Sequence, residues 1–236
     1  MKKLLIGTAG WSVERQEPRF AQNGSALERY ASVFSAVEIN SSFYRRHRPS
    51  TWQKWKDAVP DGFLFSVKLP KIITHELRLI DTELQLDIFL GDVAPLGTKL
   101  GGVLIQLPPK LNFEPASASR FMQALRDRTN VSTYIEPRHA SWASSAAEGL
   151  LAELDVKRVY ADPQLAELQS AAVQKPEYLR LHGSPKVYYS EYPDEQLRTY
   201  ASMLSGSTGV TWCIFDNTAS GAASRDALKL ADLVAD

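Results

Sequence analysis

The chain has one cysteine, no excess charge of either sign and no long apolar run, and each of these absences excludes something. Cys213 has no second thiol to pair with, so no internal disulfide framework exists. Flanked by Trp212 and Ile214, it reads as a small buried hydrophobe rather than a nucleophile. Lys and Arg number 27 against 27 Asp and Glu, so no whole-molecule field draws in nucleic acid or an anionic membrane. Any preference for anions must come from a local patch. Lys2 and Lys3 precede the apolar Leu4-Leu5-Ile6, but that run stops at Gly7-Thr8, short of the roughly 7–15 residues of a secretory core. Nothing approaches the roughly 18 apolar residues of a membrane span. The expectation is a cytoplasmic protein with no membrane partner. Low-complexity segments and Gly/Ser linkers are also missing, which predicts a single domain over all 236 residues.

What the chain does have is a repeated unit. Eight β-branched or aromatic runs end in a polar residue just before a helical pattern: Leu4–Thr8, Ala36–Asn40, Phe63–Lys68, Val103–Gln106, Thr133–Arg138, Lys157–Asp162, Tyr178–His182 and Thr211–Asn217. Strands alternating with helices predict a parallel sheet. Eight such units in a chain of this length predict an α/β fold, the (β/α)8 TIM barrel, whose chemistry sits at the C-terminal ends of the strands. The helical stretches are Ala26–Phe34, Thr51–Ala58, Glu76–Leu90, Ser117–Arg128, Ala146–Leu154, Glu195–Leu204 and Ala222–Val234, with capping boxes expected at Ser25/Glu28, Ser50/Gln53 and Ser145/Glu148. The sixth unit is the least regular, because Pro163–Pro176 is short for a helix and its return. Trp11–Gly24 and Gly183–Pro193 read as long loops, which in compact domains are usually functional.

Side chains alternate faces along a strand, so positions i and i+2 share one side. With Val37, Ile39, Ile135, Pro137, Leu179 and Leu181 facing the helices, Glu38 and Asn40, Glu136 and Arg138, and Arg180 and His182 face the barrel interior. Ser66, Lys68 and Asp216 aim the same way. Barrel interiors are normally filled by branched aliphatics, and an unpaired ionised group there costs several kcal/mol. Two readings follow: a neutralising network in which Arg138 and Arg180 saturate Glu38 and Glu136, or a convergent cluster of acids, bases and imidazoles forming an active site.

Cations crowd the segments after the strands: Arg45-Arg46-His47-Arg48, Lys71, His75, Arg78, Lys110, Arg138-His139 and Lys186. Aromatics interleave with them: Trp11, Phe43, Tyr44, Trp142, Tyr188, Tyr189 and Tyr192. Cations beside stacking rings predict an anionic ligand, namely a nucleotide, single-stranded nucleic acid or phosphorylated sugar. Glu38, Glu136, His139, Asp162, His182 and Asp216 are oxygen and imidazole donors of the kind that hold zinc or manganese, although none shows a diagnostic local spacing.

Taken together, Gly7-Thr8-Ala9-Gly10-Trp11, Val37 to Tyr44, Phe65-Ser66-Val67-Lys68 with Ile73-Thr74-His75, Lys99-Leu100-Gly101 and Gln106-Leu107-Pro108-Pro109 resemble one family, the YecE-like proteins. Glu136 to Trp142, Arg180-Leu181-His182-Gly183 and Phe215-Asp216-Asn217-Thr218 with Gly221 extend the likeness to the last helix. The resemblance implies a TIM barrel and no particular reaction. The chain departs from the family pattern in the abbreviated Val13–Phe20 stretch and in Pro137, where the family usually has Phe.

The function expected from these readings is hydrolysis of a nucleotide or nucleic-acid phosphodiester at the C-terminal face. Glu38, Glu136, His139 and Asp216 are the candidate catalytic residues. Trp11, Asn40, Tyr44, Lys68, His75, Gln106, Arg138, Trp142, Arg180, His182 and Asn217 are the candidate ligand contacts. The alternatives are isomerisation or glycoside hydrolysis of a phosphorylated or acidic sugar by the two glutamates, and a non-catalytic nucleotide-binding or nucleic-acid-binding module.

Overall fold

The computed structural model describes residues 3–14, 16–163, 167–168 and 175–235. All eight expected runs form strands: β1 (Lys3–Thr8), β2 (Ala36–Ile39), β3 (Leu64–Lys68), β4 (Leu100–Gln106), β5 (Thr133–Glu136), β6 (Val156–Arg158) with β7 (Tyr160–Asp162), β8 (Tyr178–Leu181) and β9 (Val210–Phe215). Every pairing is parallel. The sixth run is divided into β6 and β7 because it changes partner half-way. β6 pairs with β5 and β7 with β8, while the Val159 N–H between them donates to Ile135 O at 2.8 Å.

The strands run in the orders β2-β3-β4-β5-β6 and β1-β9-β8-β7. At the other seam, β1 meets β2 through an Ala9–Glu38 bridge and a Gly10 N–H to Glu38 O bond of 2.8 Å. The result is a TIM-type α/β fold with two seams in its hydrogen bonding.

The helices are α1 (Ala26–Ala31), α2 (Ser41–Tyr44), α3 (Pro49–Asp57), α4 (Glu83–Val93), α5 (Pro115–Arg126), α6 (Ser145–Glu153), α7 (Asp194–Ser205) and α8 (Ala222–Ala235). The Ser25/Glu28 capping box is present. The other two are not. α3 begins at Pro49, one residue before the expected cap, because proline's fixed φ suits the first helical position. α6 is capped by Ser144 rather than Ser145. The helix expected over Glu76–Leu90 is also corrected: Ile72–Glu76 forms a π-turn, and Arg78, Leu79 and Asp81 take φ of 53°, 68° and 50° before α4 starts. Left-handed backbone at three nearby positions cannot continue a right-handed helix. The return of the sixth unit, 163–176, falls largely outside the described residues.

Apolar residues occupy two separate layers. Val37, Ile39, Ile135, Leu179, Leu181 and Phe215 pack outward against the helices. Leu5, Ala36, Leu104, Tyr134, Tyr178, Trp212 and Ile214 fill the barrel. This interior is more aromatic than the aliphatic filling usual for the fold, and glycines in β4 make the room. A Cβ on Gly101 would sit 2.9 Å from Trp212 Cζ2 and 3.1 Å from Leu64 Cβ. Gly101→Ala should therefore lower stability by about 1–3 kcal/mol through overpacking, read from the urea midpoint. An unchanged midpoint would mean that the Trp212 ring shifts freely.

Candidate functional site

Above the aromatic layer the interior turns ionic. Arg180, on β8, is 1% exposed and engages three carboxylates. Its Nε donates to Glu38 Oε2 at 3.0 Å and its Nη2 to Glu38 Oε1 at 2.9 Å. Nη1 donates to Glu136 Oε2 at 3.0 Å, and Nη2 also lies 2.9 Å from Asp216 Oδ2. The Tyr178 hydroxyl completes the set below, 2.8 Å from Glu38 Oε2 and 3.0 Å from Ser66 Oγ. Tyr178 escaped the sequence reading, although alternation from Arg180 puts it on the same face.

His182 continues the cluster toward the mouth. Its Nδ1 lies 3.1 Å from Asp216 Oδ2, and its Nε2 lies 3.4 Å from Glu136 Oε1. Arg138 Nη2 approaches Glu136 Oε1 to 2.7 Å and His182 Nε2 to 3.4 Å. Asn40 Nδ2 donates to Asp216 Oδ1 at 3.2 Å.

These contacts set the charges. Burial works against ionising Glu136, but Arg180, then His182 and Arg138, hold its carboxyl well below the usual range. Burial likewise opposes the charged His182 ring, yet Glu136 and the bond to Asp216 raise its pKa. Burial opposes the charged Asp216 too, but Arg180, His182 and Lys68 together lower its pKa. Three carboxylates thus face two guanidinium groups, the His182 ring and the Lys68 amine. The interior is close to neutral, as the network reading expected, rather than strongly positive.

Only part of the cluster is open. A cavity of about 370 Å³ is bounded by Glu136, Arg138 and His182 on its polar side and by Pro109, Pro137, Ala161, Pro163, Leu168 and Val187 elsewhere. Pro137, expected to face the helices, lines it. Tyr188 stands at its edge: its ring meets His182 edge-on at 5.6 Å and its hydroxyl is 3.5 Å from Arg138 Nη1. The left-handed φ of 71° at Tyr188 is anchored by its N–H to His182 O. Gly183 lets this loop close, since a Cβ there would lie 2.7 Å from Ser190 O.

Several residues expected at the site do other work. Trp142 is buried against Phe113 and its Nε1 donates to Leu111 O, so it is core rather than a stacking platform. Asn217 is fully buried and donates to Ser190 O and Asp226 Oδ2, fastening α8 to the loop. His139 Nδ1 accepts from the Ser141 N–H and caps a short 3-10 turn. Gln106 Nε2 donates to Leu107 O. Trp11 packs edge-on against Trp55 beside a separate hollow lined by Val13, Gln22 and Arg29. Tyr44 is exposed against Phe43, and burial, with Lys68 and Lys71, lowers the His75 pKa. Arg46 is held by Asp92 at 2.7 and 2.8 Å. Asp162 accepts from the Tyr200 hydroxyl at 2.6 Å. Among the described residues no three His, Cys, Asp or Glu side chains converge to hold a metal ion. No described helix is long and apolar enough to cross a membrane.

The model of a family described as "Protein of unknown function DUF72" matches residues 5–236. The chain belongs to the DUF72 family. Among curated DUF72-like relatives, the UPF0759 protein YecE of Escherichia coli K12 is 28% identical over 147 residues, 61% of this chain and 52% of YecE. The match thus spans about half of that relative. The UPF0759 protein YunF of Bacillus subtilis is 25% identical over 200 residues, 78% of this chain and 71% of YunF. Crystal structures of DUF72 family proteins share the fold. The one from Thermotoga maritima MSB8 has TM-score 0.80 at 21% identity, covering 99% of this chain and 100% of that one. The one from Enterococcus faecalis V583 has TM-score 0.79 at 20% identity, covering 100% and 96%.

Removing Arg180 takes the cationic partner from buried Glu38 and one partner each from Glu136 and Asp216, so Arg180→Met should cost about 3–5 kcal/mol at pH 7 in urea unfolding. The depressed Glu136 pKa contributes stability above its ordinary 4.5 that is lost as pH falls through the folded value. The difference between variant and wild type should therefore narrow below that pH, and a constant difference would separate Glu136 from Arg180. His182 has the opposite sign. Its raised pKa stabilises fully below the ordinary 6.5, and this contribution is lost as pH rises through the folded value. His182→Gln should flatten that alkaline decline in melting temperature.

Proposed function

We propose that this DUF72 protein is an enzyme that hydrolyses a phosphodiester of a nucleotide or nucleic acid, with His182 as proton donor and Arg138 as the phosphate clamp. The observation that carries this reading is the meeting of those two side chains, 3.4 Å apart, at the polar side of one cavity. Its volume of about 370 Å³ lies in the range of small-molecule sites, and its apolar walls suit a base or sugar. Its position at the strand C-termini is where barrel enzymes keep their chemistry.

Arg138 is held on Glu136 Oε1 by Nε at 2.8 Å and Nη2 at 2.7 Å, which turns its outer Nη1–Nη2 edge to the phosphate. Its side chain is 30% exposed and so reaches the ligand. His182, protonated between Asp216 and Glu136, hands its proton to the departing oxygen. Glu136 and Asp216 hold that proton in place. Glu136 is a poor general base because its pKa is depressed, so its part is positioning rather than proton abstraction. Glu38 is 0% exposed and saturated by Arg180 and Tyr178, which counts against the two-glutamate glycosidase. A metal-assisted version rests on Glu136 and His182 exchanging their present partners for the ion.

With a dinucleoside monophosphate as substrate, whose alkoxide leaving group needs a proton, His182→Gln should lower kcat by about 10²–10⁴-fold while Arg138→Ala mainly raises KM. The wild-type rate should fall on an alkaline limb above pH 6.5, where the elevated His182 loses its proton. Unchanged kcat in His182→Gln removes the histidine from the mechanism. Salt-dependent oligonucleotide binding without turnover favours the binding module instead.

A further inference from the structure

We infer that Lys68 is a reactive amine that captures a small aldehyde or ketone as an imine at the mouth of the barrel. Lys68 closes β3, and among the described residues its side chain is the one cation of the cluster left without a counter-ion. The residue is 7% exposed. Its Nζ makes no hydrogen bond or ion pair among the described residues and stands over the face of Phe43, 4.2 Å from the ring centroid, with Arg180, the three carboxylates and His75 within electrostatic reach. The reason lies in how the carboxylates are shared: Arg180 takes Glu38 and, with Arg138 and His182, occupies Glu136 and Asp216, so none of the three pairs with Lys68. A ring face returns only part of what an ammonium loses on leaving water. The neutral amine escapes that loss, and the neutral amine is the nucleophile.

Burial, followed by the repulsion of Arg180, pushes the Lys68 pKa down to about 8. At pH 7 this gives a free-amine fraction a few hundredfold above that of an unperturbed lysine. The lysine is also positioned for the reaction. The Ser42 hydroxyl donates to Lys68 O at 2.7 Å, fixing the end of β3 against the turn that carries Phe43. In the reaction the nitrogen lone pair attacks the carbonyl carbon. The carbinolamine then loses the former carbonyl oxygen as water, both hydrogens coming from the amine, and a carbon–nitrogen double bond remains. No oxidant or reductant is consumed.

The inference does not depend on the phosphate reading, and its test uses a carbonyl compound without phosphate. The full chain is incubated with glyceraldehyde and sodium cyanoborohydride at pH 7.5, which reduces any imine to a stable secondary amine, and peptides are mapped by mass. The Lys68 peptide should gain one adduct at least about tenfold faster than the peptide bearing Lys71, a solvent-exposed neighbour on the same loop. Lys68→Met should remove the fast adduct. Because that variant can fail to fold, competitive acetylation of the wild type against pH supplies a second readout, with a midpoint near 8 for Lys68. An adduct no faster than at Lys71 overturns the inference, as does a midpoint near that of ordinary lysines. A midpoint near 8 with no adduct also overturns it, by removing the carbonyl chemistry. In each of these cases the Arg138–His182 reading is untouched, since it is decided by phosphodiester turnover.

Discussion

Arg180 is the interaction on which the rest of the structure depends. The parallel hydrogen-bond ladder is interrupted where β6 gives way to β7 and thinned where β1 meets β2. Arg180 stands on β8 in the four-stranded sheet, but two of its partners, Glu38 and Glu136, stand on β2 and β5 in the five-stranded one. One guanidinium therefore ties the two halves together across the barrel axis. Its planar fork matters here, because a lysine ammonium has no rigid array of donors to reach three carboxylates in fixed directions.

Buried ion pairs are weak evidence for stability as such, since well-packed hydrophobic replacements are often as stable or more so. Their consequence here is directional. By consuming Glu38 entirely and one oxygen of Glu136, Arg180 decides which acids remain for a ligand. By taking part of Asp216 it sets that residue against His182, whose imidazolium then sits between two anions. Because Arg180, Arg138 and His182 share the three carboxylates, Lys68 is left over an aromatic ring. The proposed acid, the proposed clamp and the lone amine all follow from how these donors divide three acids.

The fold was legible because its signal is redundant. Eight runs each carry the period-two alternation of a strand, and an error at one boundary moves nothing else. The interior set of Glu38, Glu136, Arg180, His182 and Asp216 followed from the same alternation. What alternation cannot give is the competition among partners. Trp142 and Asn217 follow strands just as Arg138 and Asp216 do, but they turn to core and loop carbonyls, and only three-dimensional contacts distinguish the two fates. The helix expected over Glu76–Leu90 failed for a local reason: its apolar spacing is helical, while three left-handed residues interrupt the backbone before Thr82. Capping serines failed where α3 starts early at Pro49 without a side-chain cap and where Ser144 caps α6 one residue earlier.

Charge shows why a whole-chain balance says little about a site. The chain is neutral overall and the barrel interior is nearly so, yet the cavity's polar side carries two basic side chains, Arg138 and His182, against one carboxylate, Glu136, because Glu38 and Asp216 do not line it. Under the phosphate reading proposed above, an anion would encounter two donors already oriented by Glu136 and Asp216, leaving little side-chain ordering to be done on binding. The same arrangement limits the site. Each donor held toward the cavity is held by an acid whose own basicity has been suppressed, so a barrel built this way favours reactions that need a placed proton over those that need a strong base.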